Sequence, residues 1–298
     1  MMDLRDILVV LDDSSSSDIR LDIAVTLAQQ HQAHLTGFSA LDLLMPIRSF
    51  LPSRGNAEVD IQPTSSLGIW GAAPLVNYPE SERQAAENAE RIEVAFRERL
   101  RRGGLIGDWR MAGGKVSEAL VRQAQQVDLV ILGQIDPTHP PRPEGRHLIE
   151  DVLMTSGRPI LVIPYISQLA KIGTKVLVGW NNSREAVRAM NDAMPLLAKA
   201  SSVTILEAIP AGKKAATDEV TSADLARHLA RHGIEAKTAR TVMADISASD
   251  AMLSYAADAS ADLLVVGGYG HSRLRELMLG GVTRELLQHM TLPVLMSH

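Results

Sequence analysis

The sequence lacks cysteine across all 298 residues, which excludes disulfides, thiolate-bound iron–sulfur clusters and a thiol nucleophile. Aromatic residues make up only 3% of the chain, and 30 lysines and arginines face 35 aspartates and glutamates. With few stacking side chains and a net charge of -5, the chain is poorly suited to binding nucleic acid. The apolar run Ile7–Leu11 is too short for a signal-peptide core, and no run approaches the roughly 18 residues of a membrane span. We therefore expect a cytoplasmic protein that partners neither nucleic acid nor a membrane.

The remaining composition is that of a globular protein with an internal repeat. Hydrophobic residues account for 46% of the chain and charged residues for 22%, and 298 residues predict about two domains of ordinary size. Three strand-like segments recur in the same order, which indicates a tandem duplication. The matched pairs are Ile7–Ser14 with Val176–Ser183 (an offset of 169), Asp128–Gly133 with Asp262–Gly267 (134) and Arg158–Ile163 with Leu292–Ser297 (134).

The unequal offsets locate an insertion in the first repeat. The offset falls by 35 between the first and second matches, so the first repeat holds about that many extra residues there. The segment 45–78 is rich in proline and glycine, which break helices and strands, and we assign the insertion to it. The predicted domains are residues 1–167, containing this insertion, and residues 174–298, joined by a short linker.

Each repeat alternates strands with helices. The strands are short Val/Ile/Leu runs without period-two alternation, as expected for a parallel sheet covered on both faces. The predicted fold class is α/β, with two tandem Rossmann-like, doubly wound domains, each holding a five-stranded parallel sheet. The closing strands Ile160–Ile163 and Val294–Met296 would be exposed edges in isolation, so we expect the halves to pack through them as a pseudo-dimer. Two chains associating into a homodimer is a further expectation.

Glycines in the second repeat mark a candidate ligand site. Ligands of open parallel sheets bind beyond the carboxyl ends of the strands, where the strand order reverses. One such end carries Trp180-Asn181-Asn182-Ser183, and another carries Gly267-Gly-Tyr-Gly270. Gly280-Gly281-Val282-Thr283 then opens a predicted helix, whose free N–H groups and dipole favour phosphate.

The spacing of these glycines resembles a known signature. Gly267-x2-Gly270-x9-Gly280 is similar to the G-x2-G-x9-G nucleotide motif of the universal stress protein family, and the similarity continues through Val282-Thr283 into the last strand. The resemblance covers almost the whole chain outside segment 45–78. It implies a Rossmann-like fold, dimers that pair through the last strand, and binding of ATP or another adenine nucleotide, with or without Mg²⁺.

The resemblance also implies roles for individual residues. Asn181 stands where an aspartate meets adenine, and Ala208 lines the adenine pocket. The full implied nucleotide-binding set is Asn181, Asn182, Ala208, Val266, Gly267, Gly270, Gly280, Gly281, Val282 and Thr283. This sequence departs from the pattern at Gly281, where the family has a hydroxyl residue, and at Asn181, whose amide can still donate and accept. No catalytic or metal-binding residue is predicted.

The first repeat has lost the glycine loop. By the 134 offset, Gly270, Gly280 and Gly281 correspond to Asp136, Arg146 and His147, side chains that repel phosphate or block its approach. Asp12 and Asp13 remain at the end of the first strand, where a family aspartate sits. We therefore expect ATP in the second repeat only.

Histidines elsewhere have plainer explanations. His228 and His232 lie four residues apart on a predicted helix, but the glutamate of the zinc-protease pattern is missing and arginines flank them, so we expect a solvated face. His31 and His34 flank a helix end, and we expect them to be cations that interact with the helix dipole.

The leading functional hypothesis is a regulatory stress-response protein that binds ATP in its C-terminal domain without strong turnover. Weak ATP hydrolysis is compatible with this hypothesis. Two alternatives stay open: an ATP-using α/β transferase, and a nucleotide-free scaffold or interaction protein.

Overall fold

The computed structural model describes residues 3–40, 80–112, 115–138, 145, 147–167, 171–210, 221–243, 246–269 and 281–298. The insertion assigned to residues 45–78, together with Gly270, Gly280 and Arg146, lies outside this range. The first half contains β1 (Asp6–Val10), α1 (Ser17–His31), β2 (His34–Ala40), α2 (Glu80–Gly103), β3 (Gly107–Ala112), α3 (Val116–Ala124), β4 (Leu129–Gly133), α4 (Leu148–Thr155) and β5 (Ile160–Ile163).

The second half repeats the same alternation. It contains β6 (Lys175–Trp180), α5 (Arg184–Leu197), β7 (Ser202–Pro210), α6 (Ser222–Arg231), β8 (Ala236–Met243), α7 (Ala248–Asp258), β9 (Leu263–Gly267), α8 (Gly281–His289) and β10 (Val294–Ser297). No helix in the described ranges is long and apolar enough to span a bilayer.

The described strands form one ten-stranded sheet in the order β3-β2-β1-β4-β5-β10-β9-β6-β7-β8. Within each half all neighbouring strands are parallel, which confirms the predicted α/β class with five parallel strands per half. The halves meet where β5 and β10 pair antiparallel, with Leu161 opposite Leu295. This is the strand contact expected from the sequence, and it removes two sheet edges that would otherwise expose unpaired backbone groups.

Helices cover both faces of the sheet, which explains the unbroken apolar runs. In β1, Ile7 and Val9 pack into the layer of α1, α2, α5 and α6, whereas Leu8 and Val10 pack into the layer of α3, α4, α7 and α8. All four side chains are buried, so alternate residues serve opposite cores and no polar position is tolerated.

Capping side chains set the helix starts. The Ser183 hydroxyl accepts the Ala186 N–H at 3.1 Å and caps α5. Thr221 and Asp224 form a reciprocal capping box that starts α6. Past the other end of α6, Gly233 has a φ of +77°, the left-handed conformation with which helices commonly end.

The prediction that His31 is a cation is wrong. Its ring is buried, with 2% of the residue exposed, and neither ring nitrogen has a hydrogen-bond partner among the described residues. Burial, reinforced by the Lys199 ammonium, lowers the pKa of His31 against the opposing effect of Asp3. His31 is therefore neutral at pH 7, because tertiary packing has removed it from the water that a charged ring requires. His34 is half-buried and faces the carboxylates of Asp6 and Asp108.

Candidate functional site

The strand order reverses between β6 and β9 in the second half, so the crevice at their carboxyl ends is the expected ligand position. Asn181 and Asn182 follow β6 and are exposed at this edge. The Asn181 side-chain oxygen accepts the Ser183 N–H at 3.2 Å, which holds the turn before α5. Asn182 has a φ of +60°, a left-handed conformation that asparagine tolerates better than most residues.

The neighbouring strand brings Ala208 to the same edge. Trp180 at the end of β6 is opposite Glu207 of β7, so the next residues of the two segments, Asn181 and Ala208, are close in register. The Glu207 carboxylate accepts the Ser222 N–H at 2.7 Å and pairs with Arg240 at 2.8 Å. Burial opposes its ionisation, but these two partners lower the pKa of Glu207 overall, so its carboxylate is ionised and neutralised by Arg240.

Strand β9 ends in two glycines that allow close packing. A Cβ on Gly267 would lie 2.5 Å from the backbone nitrogen of Ala186, so this glycine lets the strand end touch the first turn of α5. A Cβ on Gly268 would lie 2.7 Å from a methyl carbon of Leu153, which belongs to the first half. Packing against protein thus accounts for Gly267, and its Cα hydrogens face helix α5. Val266, one residue earlier, is buried in the core.

The loop after β9 is tied to the start of α8. Tyr269 adopts a φ of +55°, and its N–H donates to the Thr283 hydroxyl oxygen at 3.0 Å. Thr283 is buried, and its hydroxyl oxygen holds the loop in place. The Tyr269 hydroxyl is buried with no hydrogen-bond partner among the described residues, and burial together with the Glu150 carboxylate raises the pKa of Tyr269.

The N-terminus of helix α8 is exposed among the described residues. The helix begins at Gly281, within the segment predicted to open it. Gly281 and Val282 are exposed, and a Cβ built on Gly281 meets no described atom within 4 Å. The first N–H groups of a helix have no partner within the helix, so this end is suited to binding an anion.

The first half uses the corresponding edge differently. Asp12 follows β1, and its carboxylate pairs at 2.9 Å with Arg20, whose side chain is 1% exposed. The guanidinium lies against the end of β4, where a Cβ on Gly133 would come within 1.8 Å of it. Burial opposes ionisation of Asp12, but Arg20 and Ser14 hold its pKa below its usual value. The strand-end carboxylate is therefore engaged inside the protein.

A cavity of about 120 Å³ lies at this edge of the first half, lined by Asp12 and Asp136 among others. The Asp136 carboxylate accepts the N–H and hydroxyl of Thr138 at 2.8 and 2.7 Å, which closes a turn. Pockets for drug-sized ligands usually measure roughly 300–1,000 Å³. This cavity is therefore small for a nucleotide, and a second one of about 290 Å³, also lined by Asp12, lies just below that range. His147, the counterpart of Gly281, precedes α4 and is exposed.

The histidine pair on α6 lies outside the candidate nucleotide site. The rings of His228 and His232 contact each other edge to face, with centroids 4.8 Å apart, on one side of α6. No group of three His, Asp or Glu residues within the described ranges is arranged to hold a metal ion.

Two contacts were not predicted from the sequence. One is Leu153 against Gly268, and the other is the side chain of Gln134, which reaches from the first half to α8. Both cross from one half to the other, and the repeat alignment could mark these positions only as different between the two copies.

Comparison with known proteins identifies the second half by sequence. Residues 174–298 match the universal stress protein family. A universal stress protein of Synechocystis sp. is 42% identical over 48 residues, which is 16% of this chain and 17% of that protein. The chain thus aligns with less than a fifth of this curated relative's length.

Solved structures support the fold over nearly the whole chain. A universal stress protein from Archaeoglobus fulgidus DSM 4304 superposes with a TM-score of 0.68 at 14% identity, covering 98% of this chain and 95% of that one. A functionally unknown protein from Pseudomonas aeruginosa PAO1 gives a TM-score of 0.57 at 16% identity, covering 99% and 92%. Two universal stress proteins that align with 54% of the chain, at TM-scores of 0.33 and 0.32, were solved with cAMP and with dAMP.

Proposed function

We propose that the chain is a stress-response protein of the universal stress protein family, whose model its second half matches, and that this half binds an adenine nucleotide, with ATP as the expected ligand. The single observation that carries the proposal is the exposed start of α8, which Thr283 ties to the loop after β9 at the switch point of the sheet. Gly281 and Val282 expose the first backbone N–H groups of the helix there, beside the loop that follows β9.

The base and the phosphates would occupy different parts of this edge. Asn181 and Ala208 lie at the ends of neighbouring strands, and the Asn181 amide can donate and accept, as adenine recognition requires. The N-terminus of α8 favours phosphate through its N–H groups and dipole. The helix dipole therefore orients the nucleotide with its phosphates toward α8.

The difference between the two halves predicts one nucleotide per chain. In the first half Asp12 is paired with Arg20, and the two cavities that Asp12 lines measure about 120 and 290 Å³. A nucleotide there would compete with this ion pair and would need more room than the smaller cavity offers. We propose that the first half supports its twin in an intramolecular pseudo-dimer built on the β5–β10 contact.

The proposed role is regulatory: the nucleotide changes conformation or partner binding, in the cytoplasm, without strong turnover. Mg²⁺ could accompany ATP through its phosphates, and two chains could associate further. These extensions depend on the nucleotide proposal and on the family assignment.

The test is the substitution Gly281→Ser. A serine hydroxyl would restore the donor that this position lacks, and the open space around Gly281 accommodates it. One added hydrogen bond to a charged phosphate is worth roughly 1.5–3 kcal/mol, so ATP affinity should rise by about tenfold or more. AMP lacks the outer phosphates and should gain much less. Calorimetry on purified protein measures both affinities.

Gly281→Ala is the matched control, because it adds the Cβ without the hydroxyl and should leave ATP affinity nearly unchanged. Equal gains for ATP and AMP would contradict the placement of phosphate at α8. Wild-type protein that binds no nucleotide would favour the scaffold alternative, and recovery of a nucleotide-derived product with an added acceptor would favour the transferase.

A further inference from the structure

Gln134 connects the two halves at a point that the nucleotide proposal does not use. It follows β4 in the first half, and 6% of the residue is exposed. Its side-chain nitrogen donates to the backbone oxygens of Leu287 and Gln288 at 2.9 and 3.2 Å. Its side-chain oxygen accepts the Tyr165 N–H at 3.3 Å. The amide therefore joins the first half to the last turn of α8.

The carbonyls that Gln134 binds need such a partner. The last four carbonyl groups of a helix have no partner within the helix, and leaving a buried one unpaired is costly. Leu287 and Gln288 belong to the last turn of α8, which ends at His289. Gln134 thus caps the C-terminus of a helix that belongs to the other half of the chain.

The duplicated position in the second half lacks the side chain that forms this cap. Gln134 corresponds to Gly268 in the repeat, and the two backbones match: the Gln134 N–H donates to Ile163 at 2.7 Å, and the Gly268 N–H donates to Ser297 at 2.8 Å. Gly268 has no side chain and packs directly against Leu153. The second half reaches the end of α4 from another element, because Arg188 on α5 donates to the Gly157 carbonyl at 2.9 Å.

Helix α8 is consequently anchored at both ends. Thr283 in its first turn holds the loop through the Tyr269 N–H, and Gln134 holds its last turn. The helix has nine residues and is about 13 Å long, a short rod whose two ends move together. A shift at the capped end would displace the N–H groups at Gly281.

We infer that Gln134 is a positioning residue for the nucleotide site of the opposite half: it sets the direction in which the N-terminus of α8 meets phosphate. This inference rests on the proposed function, since it needs phosphate at α8. Gln134 touches no nucleotide atom and acts only through the helix.

The experiment compares ATP and adenosine binding to the full-length chain by calorimetry. Gln134→Met keeps the approximate size of the side chain but removes its donors, and it should weaken ATP by about fivefold or more. Gln134→Glu keeps an acceptor for the Tyr165 N–H but sets a carboxylate against two carbonyl oxygens, and its loss should be at least as large. Adenosine affinity should stay unchanged for both variants, because adenosine has no phosphate. Gln126→Met, at an exposed glutamine of the same half, is the control.

The outcomes separate this inference from the nucleotide proposal. If wild-type protein binds no ATP, both fail together. If wild-type protein binds ATP and Gln134→Met binds it equally well, the positioning role alone fails. Equal weakening of ATP and adenosine would show a general structural defect and would also overturn it.

A measurement on wild-type protein covers the case in which the variants do not fold. Linkage requires that a cap which favours phosphate binding be strengthened by it. Saturating ATP should therefore slow hydrogen exchange of the Tyr165 amide, which is bonded to Gln134 in the first half. The Leu11 amide, bonded to Phe38 within the sheet of the first half, should not change. Unchanged exchange at Tyr165 would overturn the inference.

Discussion

Replacing Asp12 by alanine should destabilise the protein far more than replacing its partner Arg20 by methionine. The two residues form one ion pair, but they differ in burial: 1% of the Arg20 side chain is exposed, against 29% for Asp12. The Arg20 Nε has no hydrogen-bond partner among the described residues, so the guanidinium depends on Asp12 and on a 3.4 Å contact with Ser17. Asp12 also accepts the Ser14 N–H at 3.0 Å and keeps contact with water.

The magnitudes follow from this asymmetry. Asp12→Ala leaves a buried cation without its counter-charge, a change that typically costs about 3–5 kcal/mol. Arg20→Met removes the buried charge itself and leaves a carboxylate that water and Ser14 can satisfy. Replacing a buried ion by an apolar side chain of similar volume is often neutral or stabilising, so we expect a loss below about 1 kcal/mol. The double variant should recover most of the loss of Asp12→Ala.

Urea denaturation at pH 7, followed by circular dichroism, measures these differences as shifts of the midpoint at constant slope. Asp18→Ala is the matched control, because Asp18 lies on α1, the helix that carries Arg20, and its side chain is 73% exposed. It should change the free energy of unfolding by about 0.5 kcal/mol or less. An Asp12→Ala variant that lowers the free energy of unfolding no more than Arg20→Met does would refute the prediction. The buried guanidinium would then not need the Asp12 carboxylate for stability.

Two further predictions concern backbone packing and pH. Gly267→Ala should lower the free energy of unfolding by about 1–3 kcal/mol or more in urea, because its Cβ would overlap the backbone of Ala186, whereas Gly281→Ala should cost far less. Burial lowers the pKa of His31 below the ordinary histidine value of about 6.5. The unfolded chain therefore binds more protons than the folded chain below about that pH, so the free energy of unfolding should fall as the solution is acidified from about pH 7. His31→Gln should flatten this dependence between about pH 5 and 7, while His232→Gln, at an exposed position, should reproduce the wild-type curve. Curves for His31→Gln and wild-type protein that run parallel would contradict this assignment.

The fold could be predicted because its signals are local and repeated. Each strand buried on both faces is a short apolar run, and because the chain is duplicated, corresponding runs occur in both halves. The antiparallel contact of β5 and β10 could also be predicted, since an edge strand buried as completely as Ile160–Ile163 needs a partner.

Of the candidate site, the start of α8 could be predicted, because glycines that open a helix are visible in the sequence and a helix N-terminus suits an anion through its backbone alone. The roles of Gly267 and His31 could not, because they depend on which segment packs against each residue. A glycine pressed against a helix backbone and a glycine left open for a ligand look identical in sequence.

Gln134 and Asp12 show what the comparison of repeats could have added. At both positions the first half carries a longer or charged side chain, where the second half has Gly268 and the neutral Asn181. In the first half these side chains are used within the protein: Asp12 neutralises Arg20, and Gln134 caps α8 across the boundary between the halves. In the second half the same positions leave the crevice edge free of charge and allow close packing of the loop. The two copies have therefore diverged: Asp12 forms an ion pair inside the first half, whereas Gln134 of the same half stabilises a helix of the second.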